Sequence, residues 1–377
     1  MKVVTIVGAR PQFIKAAPVS RALADRHHEV LVHTGQHYDP LLSEVFFTEL
    51  GLRPPDHQLH VGSASHGAQT GRMLEAIERV LVDERPDAVL VYGDTNSTLA
   101  GALAAAKCLI PIVHVEAGLR SHNRAMPEEV NRVLTDHVSA LCCCPSASAA
   151  AQLAAEGVRH GVEVVGDVMH DALRAMRTQL ERAGRLPPPG ADGPGAHVLV
   201  TLHRPANTDD PDQLARLVRA IGAIDAPVRW PVHPRTRHAL QAAGIVLPRH
   251  VHPLPPLGYA ELVATLASAH AVVTDSGGLQ KEAYWLGTPC LTLRHETEWT
   301  ETVAEGWNRL VDVTRDDLAT LVAGVTRPAG ARDAYGPPGA AERIVAAMER
   351  SLAPVRPAHG DAPPRDTAPV ATEARAA

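Results

Sequence analysis

Val3-Val4-Thr5-Ile6-Val7-Gly8-Ala9-Arg10-Pro11-Gln12-Phe13-Ile14-Lys15 decides the fold class. The first five residues are all β-branched, which favours a strand, and a helical pattern near Ile14–Asp25 follows within a few positions. Gly8 permits a tight turn and Pro11 suits a helix's first turn. The unit recurs downstream. Strands are expected at Val30–Thr34, Ala88–Tyr92, Ile112–Glu116, Ala140–Cys144 and Glu163–Val165. Helical patterns lie near Leu41–Leu50, Gln69–Asp83, Leu99–Lys107 and Glu128–Val138. The Pro/Gly-rich stretch Gly184–Gly195 reads as a flexible segment. A second series follows, with strands at Val198–Thr201, Val228–Val232, Ala271–Thr274 and Cys290–Leu293. Its helices fall near Gln213–Ile224, Glu261–Ala267 and Leu279–Leu286. Short strands alternating with longer amphipathic stretches imply α/β architecture, parallel sheets covered by helices. Two such open sheets create a cleft between their strands' carboxyl ends, where these folds bind ligands.

Composition narrows the function classes. A chain of 377 residues with 45% hydrophobic side chains supports two cores. A net charge of -6 and no basic run argue against a nucleic-acid partner. No apolar stretch reaches the length of a membrane span, and the first residues form no secretion signal, so the expected compartment is the cytoplasm. Five cysteines, with Cys142-Cys143-Cys144 in an apolar run, suit neither a disulfide framework nor a zinc motif. The 21 histidines are scattered, so neither a metal nor another cofactor is expected.

Polar residues gather where strands end. Arg10 and Lys15 place two cations beside a helix start, a suitable place for phosphate, although alone they read equally as solvated surface charges. Asp94, in Gly93-Asp94-Thr95-Asn96-Ser97-Thr98, is an acid/base candidate or a helix cap. Glu116 closes an apolar strand, where burial demands a partner. Glu128, in Pro127-Glu128-Glu129-Val130-Asn131-Arg132, reads by itself as a partner of a helix dipole. His203-Arg204 and His233-Pro234-Arg235 suggest an anion-facing rim. Asp275-Ser276-Gly277-Gly278-Leu279-Gln280-Lys281-Glu282 carries the strongest local signal. There a strand passes directly into a helix whose backbone N–H groups and Ser276 hydroxyl can cradle a diphosphate, with Glu282 one turn later in reach of a ribose. No P-loop, G-x-S-x-G elbow or H-E-x-x-H is present. The remaining chemistry is that of an enzyme acting on a nucleotide-linked substrate.

Together these motifs resemble the bacterial and archaeal non-hydrolysing UDP-N-acetylglucosamine 2-epimerases, in family order over roughly residues 1 to 350. The resemblance implies a GT-B-like pair of Rossmann-like domains facing across a cleft, residues 1–168 and a UDP-binding 169–338. It further implies a helix at 339–353 that returns to the first domain and a homodimer, while the Ala/Pro-rich composition of residues 354–377 predicts a disordered tail. It also implies interconversion of UDP-GlcNAc and UDP-ManNAc by elimination and re-addition of UDP through a 2-acetamidoglycal. Asp94, Glu116, Glu128 and His203 then serve catalysis. Arg10, Lys15, Arg132, His233, Ser276, Gly277, Gly278, Glu282 and Arg309 hold the substrate. The chain departs from the family's usual pattern at Ala206 in His203-Arg204-Pro205-Ala206-Asn207, where Glu is common. Thr297-Glu298-Trp299-Thr300-Glu301 lacks a family Arg, and Gln36-His37-Tyr38-Asp39-Pro40-Leu41-Leu42 lacks the Gln-rich run of members activated by a second UDP-GlcNAc. These features resemble the branch of UDP-2,3-diacetamido-2,3-dideoxyglucuronate 2-epimerases, an alternative substrate. A GT-B glycosyltransferase and a non-catalytic nucleotide-sugar-binding protein are the readings from other classes.

Overall fold

The computed structural model describes residues 1–36, 49–186, 195 and 197–352. Most of the helix expected near Leu41–Leu50, most of the Gly184–Gly195 segment and the tail from Pro354 lie outside the described residues. The first half carries β1 (Lys2–Val7), α1 (Arg10–Leu23), β2 (His28–His33), β3 (His57–Gln58) and α2 (His66–Glu84). It continues with β4 (Ala88–Tyr92), α3 (Asn96–Lys107), β5 (Ile112–Val115), α4 (Pro127–Val138) and β6 (Leu141–Cys144). Then come α5 (Ala147–Ala155), β7 (Val162–Val164) and α6 (Val168–Arg182).

The second half runs β8 (Val198–Thr201), α7 (Pro205–Thr208), α8 (Pro211–Gly222), β9 (Val228–Pro231) and α9 (Pro234–Ala242). It goes on through β10 (Val251–Leu254), α10 (Tyr259–Ala267), β11 (Ala271–Thr274), α11 (Gly277–Leu286) and β12 (Cys290–Thr292). The series closes with α12 (Thr300–Ala304), β13 (Asn308–Leu310), α13 (Leu318–Ala323) and α14 (Ala340–Leu352).

Both sheets are parallel, ordered β3-β2-β1-β4-β5-β6-β7 and β10-β9-β8-β11-β12-β13. Each therefore reverses its strand order once, between β1 and β4 and between β8 and β11. At that point successive loops diverge to opposite faces and leave a crevice at the strands' carboxyl ends. The four loops at the two reversals begin at Gly8, Gly93, Leu202 and Asp275, the very segments rich in polar candidates. Central strands such as β4, buried at every position, lack polar alternation because helices cover both faces.

Helix α6 joins the halves. It packs on α1 and α14 and also on α10 and α11, within one apolar core that includes Phe13, Met176, Tyr259 and Met348. The last helix, α14, lies against α1, where the Glu349 carboxylate accepts from Arg26 and pairs with His27 at 3.0 Å. Expected and observed element ends differ mostly by one or two residues, but α1 starts four residues before Ile14. Gln12 makes that earlier start possible. Its side-chain oxygen accepts from the N–H groups of Gly8 (2.8 Å) and Ala9 (3.0 Å), closing the turn from within.

Candidate active site

Gly8 is required by crowding rather than by turn conformation. A Cβ there would stand 2.1 Å from both the Ser97 and Thr34 hydroxyl oxygens. The chain passes this point and sends two cations in different directions. Arg10 donates to the Leu257 carbonyl oxygen in the second half, at 3.0 Å. Lys15, one turn further along α1, pairs with Glu116.

Glu116 leaves β5 with φ of +72°, a left-handed conformation that side chains other than glycine's seldom adopt. The strand therefore ends at Val115, one residue earlier than expected. The twist aims the carboxylate between two ammonium groups, Lys15 at Oε2 and Lys281 at Oε1, the latter at 2.6 Å. Burial would raise the pKa of Glu116, but the two ammoniums reverse that and bring it to about 2. Lys281 also reaches Asp167 at 2.5 Å, and its Nζ lies 3.8 Å from the ring centroid of Trp299. Sequence reasoning singled out neither Lys281 nor Asp167 as a site residue.

Asp94 is not a helix cap. Thr95 takes that role, its side chain accepting from the Thr98 N–H, and frees Asp94 to pair with Arg132 at 2.5 Å. Arg132 is buried and also faces Glu129 (3.3 Å) and Glu298 (3.6 Å). Burial would lower its pKa, but these three carboxylates raise it, so it stays cationic. Glu129 is buried and accepts from Ser121 and His122, fixing the loop before α4. Glu128, its neighbour in the same first turn, is exposed, and among the described residues no partner engages it. Beneath this layer His114 sits between Asp136 (2.7 Å) and the Gly93 carbonyl (2.7 Å), and Arg120 also pairs with Asp136. That buried cluster ties β5 to the β4 loop and α4.

Across the crevice, buried Asp275 organises the loop after β8. Its carboxylate accepts from the backbone N–H groups of His203 and Arg204 and from Asn207, and pairs with the His203 ring at 3.0 Å. Ser276 is the N-cap residue of α11, yet its hydroxyl makes no capping bond, so the first N–H groups of the helix point unblocked at a cavity of about 310 Å³. Arg10, His203, His233, Ser276, Gly278 and Glu282 line that cavity. Gly277 stands beside it, against the Trp299 indole. Burial raises the pKa of Glu282 to about 7, and Tyr259 and Arg10 offset this only in part.

The structure thus gathers Arg10, His203, His233, Ser276, Gly277, Gly278 and Glu282 around one cavity, and Lys15, Asp94, Glu116 and Arg132 beside it. Arg309 stands apart from this group. It lies on β13, the far edge of the second sheet, with its side chain 58% exposed and facing Asp316 at 3.4 Å. Arg235 likewise turns outward to Asp209. Ala206 lines a separate cavity of about 540 Å³ with Arg204, Asn207 and Arg294. Among the described residues, no group of three His, Cys, Asp or Glu side chains is set to hold a metal.

The sequence profile of the UDP-N-acetylglucosamine 2-epimerase family matches residues 21–349. The chain belongs to that family. The chain is 49% identical to the UDP-2,3-diacetamido-2,3-dideoxy-D-glucuronate 2-epimerase of Pseudomonas aeruginosa, over 84% of this chain and 90% of that one. A UDP-N-acetylglucosamine 2-epimerase of Methanococcus maripaludis is 41% identical over 85% and 90% of the two chains. The fold is similar to the crystal structure of Methanocaldococcus jannaschii UDP-GlcNAc 2-epimerase in complex with UDP-GlcNAc and UDP. That comparison has a TM-score of 0.85 and 38% identity, covering 93% of this chain and all of the other. The GT-B-like architecture of this epimerase family is thereby established for the chain.

Proposed function

We propose that the protein interconverts UDP-GlcNAc and UDP-ManNAc, with the uridine diphosphate in the 310 Å³ cavity and the sugar between Asp94, Glu116 and Glu128. One observation carries this reading. Arg10 and Lys15 on α1, and Glu282 and Lys281 on α11, each pair a residue at the cavity with one at Glu116. Each helix thus carries a cavity residue and a Glu116 partner close together, five residues apart on α1 and adjacent on α11. A base takes the proton from carbon 2, a C1=C2 double bond forms, and the electron pair of the C1–O bond departs with UDP. UDP then re-adds at C1 while carbon 2 takes a proton on the opposite face. Arg10, His203, Ser276 and the start of α11 stabilise the diphosphate's charge. Glu116 is ionised and placed to accept a proton, though its basicity is held down while both ammoniums grip it, and exposed Glu128, without a partner among the described residues, suits the return of a proton.

A second reading, the 2,3-diacetamido-2,3-dideoxyglucuronate sugar, is favoured by the Pseudomonas relative and by one local feature. Arg294 pairs with Glu298 through Nη1 at 2.7 Å, but its buried Nη2 has no hydrogen-bond partner among the described residues at the 540 Å³ cavity beside Ala206, where a sugar carboxylate would find a donor. Two copies pair, in our reading, through the outer face of α4, where Val130, Leu134 and Val138 form an exposed apolar stripe. Domain limits at 168 and 338 fit α6 as the joint, and five free cysteines fit a reducing cytoplasm. Incubation with each UDP-sugar, followed by proton NMR of the products, tests the reading. The UDP-ManNAc epimer is expected from UDP-GlcNAc. Exclusive turnover of the uronate selects the second reading, and inertness toward both overturns the proposal.

A further inference from the structure

We propose that Lys281 is a positioning residue for Glu116: a fixed ammonium that holds Oε1 across the two halves, leaving Oε2 to exchange proton once Lys15 turns to the diphosphate. The inference rests on the epimerase reading above.

The two lysines differ in how they are held. Lys281 is wholly inaccessible, whereas Lys15 retains some exposure. The ammonium of Lys281 is gripped by two carboxylates from the first half, Glu116 after β5 and Asp167 at the start of α6, and by the face of Trp299. A buried lysine survives only with such compensation, because its charge has lost its hydration. Asp167 is itself fixed, since its other oxygen caps α6 by accepting from the Met169 N–H at 2.8 Å. Lys15, in contrast, has one carboxylate partner among the described residues and stands five residues along α1 from Arg10, which lines the nucleotide cavity.

The charged groups facing Glu116 are Lys15 from α1 and Lys281 from α11, with Asp167 behind Lys281. His114, on the same strand, is committed to Asp136. The four charges of Lys15, Lys281, Glu116 and Asp167 sum to zero. When the diphosphate draws Lys15 away, Glu116 regains basicity but keeps its place through Lys281. Because Glu282 follows Lys281 directly, the helix that holds the nucleotide also sets the carboxylate. Trp299 roofs the ammonium with the face of its ring, a further attraction that holds the lysine charged.

The test compares wild type, K281M and K281R, full length, by steady-state epimerisation of the UDP-sugar that wild type accepts, from about pH 4.5 to 9, with UDP titrated calorimetrically. K281M is expected to lose about 10²-fold in kcat, near the lower end of a general-base effect, with KM and UDP affinity changed less than about threefold. Without the second ammonium, burial raises the pKa of Glu116, so K281M gains an acid limb at roughly pH 5–7 that wild type lacks. K281R keeps the charge and folds with the wild-type pH profile, at reduced kcat. If folded K281M shows the kcat and pH profile of wild type with only a lower Tm, the lysine is merely structural and the proposal fails. Should K281M not fold, an acid limb in K281R overturns the proposal equally. A wild type inert toward every UDP-sugar overturns the epimerase reading, and this inference with it.

Discussion

Replacing Glu282 by glutamine should stabilise the nucleotide-free protein at pH 8 while loosening its hold on UDP. The carboxyl titrates near 7 in the folded chain because burial disfavours its charge, against an ordinary value of 4.5. Between those values the folded state holds a proton that the unfolded state has released, so stability falls as pH rises through this window. Each pH unit of difference is worth about 1.4 kcal/mol, which places the upper bound of the cost of ionised Glu282 at about 3 kcal/mol above pH 7. Glutamine carries no charge at any pH. E282Q should therefore gain roughly 1–3 kcal/mol at pH 8, with most of that gain absent at pH 4.5. Thermal melts at the two pH values, without nucleotide, measure it. Loss of a charged acceptor for the ribose should in turn weaken UDP binding by about 10–100-fold in calorimetry. Equal destabilisation at both pH values, with UDP affinity intact, would refute the reasoning. Glu282 would then be neither a buried cost nor a nucleotide ligand.

Three other outcomes follow from separate parts of the structure. E128Q should lower turnover by about 10²–10⁴-fold with Tm unchanged, since the side chain is exposed and without a described partner. G8A should cost roughly 1–3 kcal/mol in denaturant unfolding, because its methyl would overlap the Ser97 and Thr34 hydroxyls; a neutral result would mean the β1 loop yields freely. L134E, placing a charge in the middle of the exposed α4 stripe, should shift a dimer to monomer in analytical ultracentrifugation, and an unchanged dimer would move the interface elsewhere.

The sheets were legible because β1, β4, β8 and β11 are buried on both faces and so appear as short apolar or β-branched runs with glycine or polar residues behind them. The loops that follow carried most of the site for the same reason: strand ends at a reversal of order converge on one crevice. Other elements left weaker traces. Strand β3 is two residues long, and α5, Ala147–Ala155, is mostly alanine, whose small side chains mark no apolar face. Glu128 and Glu129 are chemically identical neighbours about 100° apart around a helix, and only the surrounding fold decides which is buried. Lys281, between Gln280 and Glu282, reads as solvated; its burial depends on carboxylates 165 and 114 residues away in sequence. Gly8 suggested a turn, whereas the crowding that excludes a side chain comes from residues 34 and 97. Arg309 matched a family position by order, but β13 faces it toward Asp316. Non-local pairings of this kind have no signature in spacing.

The central claim is that carbon 2 loses its proton and regains one on the other face. The most direct measurement is proton NMR of the full-length protein with UDP-GlcNAc in deuterated water, followed at carbon 2 as turnover proceeds. The account predicts UDP-ManNAc carrying deuterium at carbon 2, with deuterium entering the remaining UDP-GlcNAc at equilibrium. Epimer formed with the original hydrogen retained would contradict it, as would release of free ManNAc and UDP as the products.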